Sequence, residues 1–222
     1  LLWIYFPPFM ETIRKYFALI FLAVFAVLTI FIWYAVFYFS SRQNLVVTFF
    51  DIGQGDAILI ETAARNQILI DGGPGTAILS KLGDALPFWD RSLDLLILTH
   101  PHADHLDGLL DVLKRYEVGV ILESGVAHSI PEYEVWHKLI EQKKIPVVIA
   151  KTGLRVAAGR GVVLDILSPF ENFQKVTVKN VHDANVVSRL RYGSTSILFM
   201  GDAEKQLEYR LLSGSFNSNL LI

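Results

Sequence analysis

The sequence predicts a sheet-rich α/β domain, with helices outside its sheets, preceded by a transmembrane helix. Three observations lead to this fold class. Residues 16–39 form one long uncharged apolar run, short β-branched runs separated by glycine-containing turns follow it, and amphipathic helical segments lie between the later strands. The predicted organisation is the end of a preceding membrane segment or loop at 1–15, a transmembrane helix at 16–39 and one domain at 40–222.

The apolar run at 16–39 has the length and composition of a membrane-spanning helix. It contains no charged residue, proline or glycine, and about 20 apolar residues suffice to cross the hydrocarbon core of a bilayer. Trp33, Tyr34 and Tyr38 near its end are typical of aromatic residues at the membrane interface. A buried core helix is the alternative interpretation of the same run.

The charges that flank this run predict its orientation. Arg14 and Lys15 precede it, whereas Arg42 alone follows. The positive-inside rule then places the N-terminal side in the cytoplasm and residues 43 onward on the other side of the membrane. Because the first residue is Leu1 rather than methionine, we expect the chain to be an excerpt of a longer protein.

Residue periodicity predicts the elements of the domain. Runs of β-branched and apolar residues bounded by turn residues indicate strands, and apolar residues at helical spacing, such as Leu106, Leu109 and Leu113, indicate helices. Strands are predicted at 45–50, 57–61, 67–70, 94–99, 118–122, 146–150, 162–167, 186–192 and 195–200. Helices are predicted at 76–86, 106–116 and 132–144 and from about 204.

Composition excludes some kinds of site. The chain has no cysteine, so neither disulfides nor thiolate metal ligands are available. Its net charge is −2, and acidic residues outnumber basic ones after residue 42, so the domain is not a broadly basic nucleic-acid binder. Arg189 and Arg191 alternate on a predicted strand and would face one side together, where either a solvated face or a strip that contacts DNA fits the sequence.

The segment from His100 to His105 carries the densest chemistry in the sequence. Three histidines, at 100, 102 and 105, and an aspartate at 104 lie directly after a predicted buried strand. Imidazole and carboxylate ligands together suit Zn²⁺, Mn²⁺ or iron rather than Ca²⁺. On a loop at the end of a strand these side chains can converge on two adjacent ions, so the sequence predicts a metal centre here.

The pattern His-x-His-x-Asp-His resembles the signature of the metallo-β-lactamase superfamily. Residues 68–73 resemble the early strand of that family that ends in Asp-Gly, and residues 198–202 resemble its later strand that ends in a metal-bridging aspartate. The resemblance implies an αββα sandwich with the site at one edge of the sheets, incomplete at its C-terminal end in this chain. It also implies two divalent metal ions, zinc or manganese. Their implied ligands are His100 and His102 on one ion, Asp104 and His105 on the second, and Asp202 between them.

The same resemblance implies roles for further residues. Asp71 would support the ligand loop without binding a metal itself, and Asp104 and Asp202 are the candidate catalytic carboxylates. Members of the superfamily usually bring a third histidine to the first ion. His182 is a candidate for it and Asn185 a weaker one, although a solvated loop histidine also fits position 182. A later histidine that normally completes the pattern is not found, so we expect the last ligand and the last elements to be missing.

A glycine-containing loop near the start of the domain has two interpretations. Gly53, Gly55 and Asp56 lie between two predicted strands. They could form a loop whose backbone approaches the metals, with Asp56 facing them. They could equally form a tight turn that uses glycine at positive φ.

A narrower resemblance covers nearly the whole chain. Residues 50–57 and 98–105, and residues 185–193 leading into Gly201 and Asp202, resemble the DNA-internalisation competence proteins of the ComEC family. In that family a multi-spanning membrane channel precedes the hydrolase-like domain. The resemblance implies DNA uptake during natural transformation, with single-stranded DNA, membrane lipid and other components of the uptake machinery as partners.

The expected function is therefore metal-dependent hydrolysis of DNA by an extracytoplasmic domain of a multi-pass protein of the cell membrane. Two adjacent ions would activate water and neutralise charge on a phosphate, but the same chemistry suits esters, lactams and thioesters. A membrane-tethered hydrolase of such a small substrate, and a DNA-guiding module without catalytic activity, remain the alternatives.

Overall fold

The computed structural model describes residues 8–40 and 44–213, and within the first range it describes the side chains of residues 14–37. The chain consists of two compact units, a helical unit that ends at Gln43 and a domain that begins at Asn44. The helix α1 (Pro8–Ser40) contains the predicted apolar run. Its stretch Arg14–Phe37 is long and apolar enough to cross a membrane, and no core of the described residues buries it. Residues 1–7 and Arg42, with their predicted roles, lie outside the described residues.

Six short, largely apolar strands form the first sheet of the domain. They lie in the order β1-β2-β3-β4-β5-β6. The first three strands are antiparallel neighbours, whereas β3 to β6 run parallel. The strands are β1 (Val46–Phe49), β2 (Ile58–Glu61), β3 (Gln67–Ile70), β4 (Ser92–Ile97), β5 (Glu117–Glu123) and β6 (Val147–Ile149).

Helices connect the parallel strands, because a parallel pair requires a crossover connection. The helix α2 (Ala77–Ala85) joins β3 to β4, α3 (Ala103–Arg115) joins β4 to β5, and α4 (Pro131–Lys143) joins β5 to β6. Pro131 occupies the first turn of α4, where the N–H that proline lacks would have no helical partner. The apolar side of α3, including Leu109, is fully buried.

Four antiparallel strands form the second sheet, in the order β10-β9-β8-β7. A short 3₁₀ helix (Val181–Ala184) precedes β9, and α5 (Lys205–Ser213) follows β10. The strands are β7 (Arg155–Ala157), β8 (Val162–Ile166), β9 (Ser188–Tyr192) and β10 (Thr195–Phe199).

The first sheet is buried on both faces, which explains its nearly continuous apolar strands. Leu69 on one face belongs to the core formed with α2, α3 and α4. Ile70 on the other face packs in a second core with Leu164 of the second sheet. Each such buried side chain contributes about 1.5–3 kcal/mol. Because α5 packs on the second half of the domain through Leu207 and Leu211, the layers are those of the predicted αββα sandwich.

The parallel strands β3, β4 and β5 end at the same edge of the first sheet. Ile70 pairs with Ile97, and Ile97 pairs with Leu122. The segments that follow these strands therefore meet at this edge, which is where open α/β sheets place their ligand sites.

The predicted strands and helices are present, with bounds shifted by up to three residues. Two elements were missed, namely β7 and the 3₁₀ helix. Both have only three or four residues, which is too short for a periodic pattern to show. The predicted incompleteness of the C-terminal end falls on residues beyond 213, outside the described residues.

Candidate metal centre

Asp71 ties together the two loops that follow β3 and β4. It is fully buried, and its Oδ1 accepts a hydrogen bond from the backbone N–H of Thr99 at 2.8 Å. Its Oδ2 accepts from the Thr99 hydroxyl at 2.6 Å and lies 2.8 Å from Nδ1 of His105. The φ of Asp71 is +55°, a left-handed conformation that aspartate visits more readily than most residues. One carboxylate thus holds both ends of the histidine segment.

His100, His102 and His182 form the first group of candidate ligands. One nitrogen atom from each lies within 4.8 Å of the others. His100 Nε2 is 3.1 Å from His102 Nδ1, and the ring centroid of His182 lies 4.9 Å from that of His100 and 4.7 Å from that of His102. The 3₁₀ helix presents His182, whose backbone N–H donates to the side chain of Asn180 at 3.2 Å. The fold therefore brings a third imidazole to the two in the loop.

His100, His105 and Asp202 form the second group. Asp202 follows β10, and its carboxylate oxygens lie 3.4 Å from His105 Nε2 and 3.8 Å from His100 Nε2. Because His100 belongs to both groups, the two candidate ion positions are adjacent. Asp104 belongs to neither group of described residues, so its role as a ligand stays a prediction.

Burial keeps the first two imidazoles neutral. It lowers the pKa of His100 to about 2, and the neighbouring imidazoles act in the same direction. Burial also lowers the pKa of His102. Neutral imidazole is the form that binds a metal, so both side chains are ready to act as ligands near pH 7.

His105 has the opposite electrostatic surroundings. Burial lowers its pKa, but the hydrogen bond and charge of Asp71, together with the charges of Asp202 and Asp104, outweigh burial and raise the pKa to about 9. The bond from Nδ1 to Asp71 directs Nε2 toward Asp202. A carboxylate that fixes the distant nitrogen of a histidine is the usual support for a metal ligand.

Buried nitrogen atoms test whether the site fits a metal. His105 Nε2 and His182 Nδ1 are buried and have no hydrogen-bond partner within the described ranges. A buried polar atom without a partner costs roughly 1–3 kcal/mol, and a divalent ion would give these nitrogen atoms one. Imidazole and carboxylate donors without thiolate fit zinc, manganese or iron. The residues present therefore fit a divalent metal.

Asn185 lies at the site but outside both ligand groups. It is fully buried, and its Nδ2 donates to the carbonyl of Met200 at 2.6 Å. A Cβ on Gly201 would lie 2.8 Å from Asn185 Oδ1. Glycine, which has no Cβ, therefore lets the backbone run this close to the Asn185 side chain. Asn185 thus holds the segment that leads from β10 to Asp202.

The two glycines of the early loop differ. Both have positive φ, +87° at Gly53 and +73° at Gly55. A Cβ on Gly53 would meet no atom within 4 Å, whereas a Cβ on Gly55 would lie 1.8 Å from the backbone oxygen of Asp104. The surroundings of Gly53 therefore fit a tight turn. Those of Gly55 fit both a turn and a close approach of the backbone to the ligand loop. Asp56 is exposed and belongs to neither ligand group.

Comparison with known proteins identifies the family. Residues 50–218 match the sequence profile of the metallo-beta-lactamase superfamily. The chain belongs to this superfamily. Comparison with curated proteins gave no match. The superfamily fold is that of metal-dependent hydrolases, and the histidine cluster is the part of this chain that could bind the metals typical of it.

Several solved structures resemble this chain at low sequence identity. The metallo-beta-lactamase fold protein YhfI from Bacillus subtilis is 19% identical, with a TM-score of 0.46, over 72% of this chain and 60% of its own. A metallo-beta-lactamase with a HARLDQ motif from Cronobacter sakazakii is 13% identical, with a TM-score of 0.48, over 72% and 60%. CmlA, a diiron beta-hydroxylase from Streptomyces venezuelae, is 20% identical, with a TM-score of 0.45, over 72% and 30%. The chain thus spans 30% to 60% of the length of these proteins.

The sequence analysis assigned no role to two residues that lie at the candidate metal centre. Thr99 binds both oxygens of Asp71, and its place between a strand and the first histidine was the available signal. His128 follows β5, and its ring centroid lies 6.0 Å from that of His102. The end of a parallel strand beside β4 was the signal that could have indicated His128.

Proposed function

We propose that this chain carries a metal-dependent nuclease domain that acts on DNA during natural transformation, as its resemblance to the ComEC family implies. The observation that carries the proposal is the pair of ligand groups that share His100 at the edge of the sheets. An exposed carboxylate, Asp202, belongs to one of these groups. Adjacent ion positions beside an exposed carboxylate suit hydrolysis of a phosphodiester, whose negative charge must be neutralised.

Two zinc or manganese ions, when bound, would activate water and neutralise charge on the phosphate. Their proposed ligands are His100, His102 and His182 for one ion, and His105, Asp104 and Asp202 for the other. Asp71 orients the ring of His105 through Nδ1, and Asn185 holds the strand end before Asp202.

The proposed setting is a multi-pass protein of the cell membrane with the hydrolase domain outside the cytoplasm. The apolar helix α1 supports a membrane anchor, and Arg14 and Lys15 before the apolar run support the orientation. Single-stranded DNA would be the substrate, and membrane lipid and other components of the DNA-uptake machinery would be the partners.

Cleavage of labelled single-stranded DNA by the full-length protein in detergent, with Zn²⁺ or Mn²⁺, tests this proposal. We expect cleavage by the wild type and a loss of about 100-fold or more in His102→Ala, because a ligand is removed. Asp111→Asn, which changes a surface ion pair on α3, is the control and should keep full activity.

Other results would favour other functions. Hydrolysis of a chromogenic lactam or ester without cleavage of DNA would indicate the tethered hydrolase of a small substrate. Binding of DNA without bound metal or any hydrolysis would indicate the DNA-guiding module. Undiminished cleavage in a folded His102→Ala protein would place the activity elsewhere.

A further inference from the structure

A cavity of about 500 Å³ lies beside the candidate metal centre, near the ends of β5 and β6. Its volume falls within the range of small-molecule sites, about 300–1,000 Å³. His128 lines this cavity, and its ring centroid lies 6.0 Å from that of His102. His128 therefore lies between the cavity and the ligand His102.

Most of the cavity wall is apolar. Val147 and Ile149 line it from the edge strand β6, because residues two apart on a strand face the same side. Val126 comes from the loop after β5. The ring of Tyr133 makes a T-shaped contact with the ring of His137, with centroids 4.4 Å apart, and both line the cavity. Such walls suit the faces of a flat, apolar group.

A buried carboxyl group supplies a polar contact. Glu123 lines the cavity yet is only 3% exposed. Its Oε2 accepts a hydrogen bond from the indole N–H of Trp136 at 2.7 Å. Burial raises the pKa of Glu123, against the lowering effects of Trp136 and His137. The carboxyl group can accept hydrogen bonds, and the amide of Gln174, which also lines the cavity, can both donate and accept them.

An aromatic heterocycle has the two properties that this cavity recognises, namely apolar faces and an edge of donors and acceptors. Resting on the nuclease function proposed above, we propose that the cavity binds one unstacked nucleobase of the DNA strand whose phosphodiester lies at the metal centre. A base within a duplex is stacked and paired and must be extruded to enter such a cavity. The domain therefore acts on single strands in preference to duplexes.

Two neighbouring valines allow a matched test. Val147 and Val148 are both 39% exposed on β6, but only Val147 is among the residues that line the cavity. Val147→Trp fills the cavity, whereas Val148→Trp places the same bulk on the opposite side of the strand. If Val147→Trp does not fold, Gln174→Trp fills the cavity from a loop instead.

Binding is measured first, without activity. Each of the four 2′-deoxynucleosides is added to the full-length, metal-free protein and followed by saturation-transfer NMR. We expect at least one nucleoside to bind, Val147→Trp to weaken its affinity by about tenfold or more, and Val148→Trp to retain it, since stacking contacts with a base are worth that much. Equal binding by both variants, or no binding by the wild type, would overturn the proposal.

Hydrolysis then separates this proposal from the proposed function. The substrates are the p-nitrophenyl ester of thymidine 5′-monophosphate and methyl p-nitrophenyl phosphate, which has no base. We expect the wild type to favour the first by about tenfold in kcat/KM and Val147→Trp to lose that preference. Equal hydrolysis of both by the wild type would overturn the base site and leave the phosphodiesterase standing. Nucleoside binding that Val147→Trp blocks, without hydrolysis of either ester or of DNA, would support the base site and contradict the nuclease.

Discussion

Asp71 and Asp165 are two buried aspartates whose surroundings shift their pKa values in opposite directions. Burial raises the pKa of Asp71, and the hydrogen bonds and charge that it receives, mainly from His105, do not offset burial. Burial also raises the pKa of Asp165, but hydrogen bonds and charges from Arg191 and Arg155 outweigh it and lower the pKa.

The partners of the two carboxylates explain the difference. Asp165 lies 2.8 Å from Arg155 Nε, 2.5 Å from Arg191 Nε and 3.3 Å from a terminal nitrogen of Arg189, and guanidinium groups are always charged. Asp71 has the imidazole of His105 instead. The second sheet thus carries permanently charged guanidinium groups, whereas the site on the first sheet gathers carboxylates with imidazoles, of which burial lowers the pKa of His100 and His102 and nearby carboxylates raise that of His105. Bound metal ions would supply the positive charge that balances the carboxylates of the site on the first sheet.

Removing the third imidazole of the metal centre should have the largest effect. In His182→Ala we expect the affinity for Zn²⁺ to fall by about 100-fold or more. A residue that binds the metal directly contributes more to this affinity than a residue that only orients a ligand. His128→Ala is the control, since His128 lies outside both ligand groups. Competition with a chromogenic chelator measures both affinities. If His182→Ala binds zinc like the wild type, His182 is a solvated loop histidine.

Changing Asp71 should have the next largest effect. Asp71→Asn removes one acceptor of the bonds from Thr99 and His105, so we expect zinc affinity to fall by about 10- to 100-fold. Asp56→Asn, which changes an exposed carboxylate of the nearby loop, should leave it unchanged. The same chelator competition decides, with circular dichroism to show that the variant is folded. Unchanged affinity in Asp71→Asn would mean that Asp71 serves the fold alone.

Changing Asp165 should affect stability and leave zinc affinity unaltered. Asp165→Asn should cost about 1–2 kcal/mol in the free energy of unfolding, a modest value because Arg155 is largely exposed and Arg191 is partly exposed. Asp111→Asn, which changes a surface pair with Lys114, should cost less than about 0.5 kcal/mol. Urea unfolding of each protein gives these values.

The effect of Asp165 should also depend on pH. Since its pKa is lowered in the folded state, its contribution is present above the pKa of an unfolded aspartate, about 4, and is lost as the pH falls through the folded pKa. Wild type and Asp165→Asn should therefore differ most near neutral pH and converge in acid. A difference that stays constant down to acid pH would show that ionisation of Asp165 is not its source.

Local patterns in the sequence determined the apolar helix, nearly all of the strands and the ligand segment. An apolar run long enough to span a bilayer, alternation with period two, and ligand side chains directly after a buried strand each lie within a few residues. The family signature at 100–105 with Asp202 was likewise readable from types and spacing alone. Such features depend on neighbours along the chain, so no knowledge of packing was needed.

Contacts between distant residues were decided only by the tertiary structure. The sequence could not place His182 relative to the ligand loop, whereas in the structure the 3₁₀ helix puts its ring beside those of His100 and His102. Arg189 and Arg191 do face one side, but the pairing of β8 with β9 sets them against Asp165. Strand register and the packing of two sheets create these contacts and the cavity at Glu123, and both depend on the whole core rather than on any short segment of sequence.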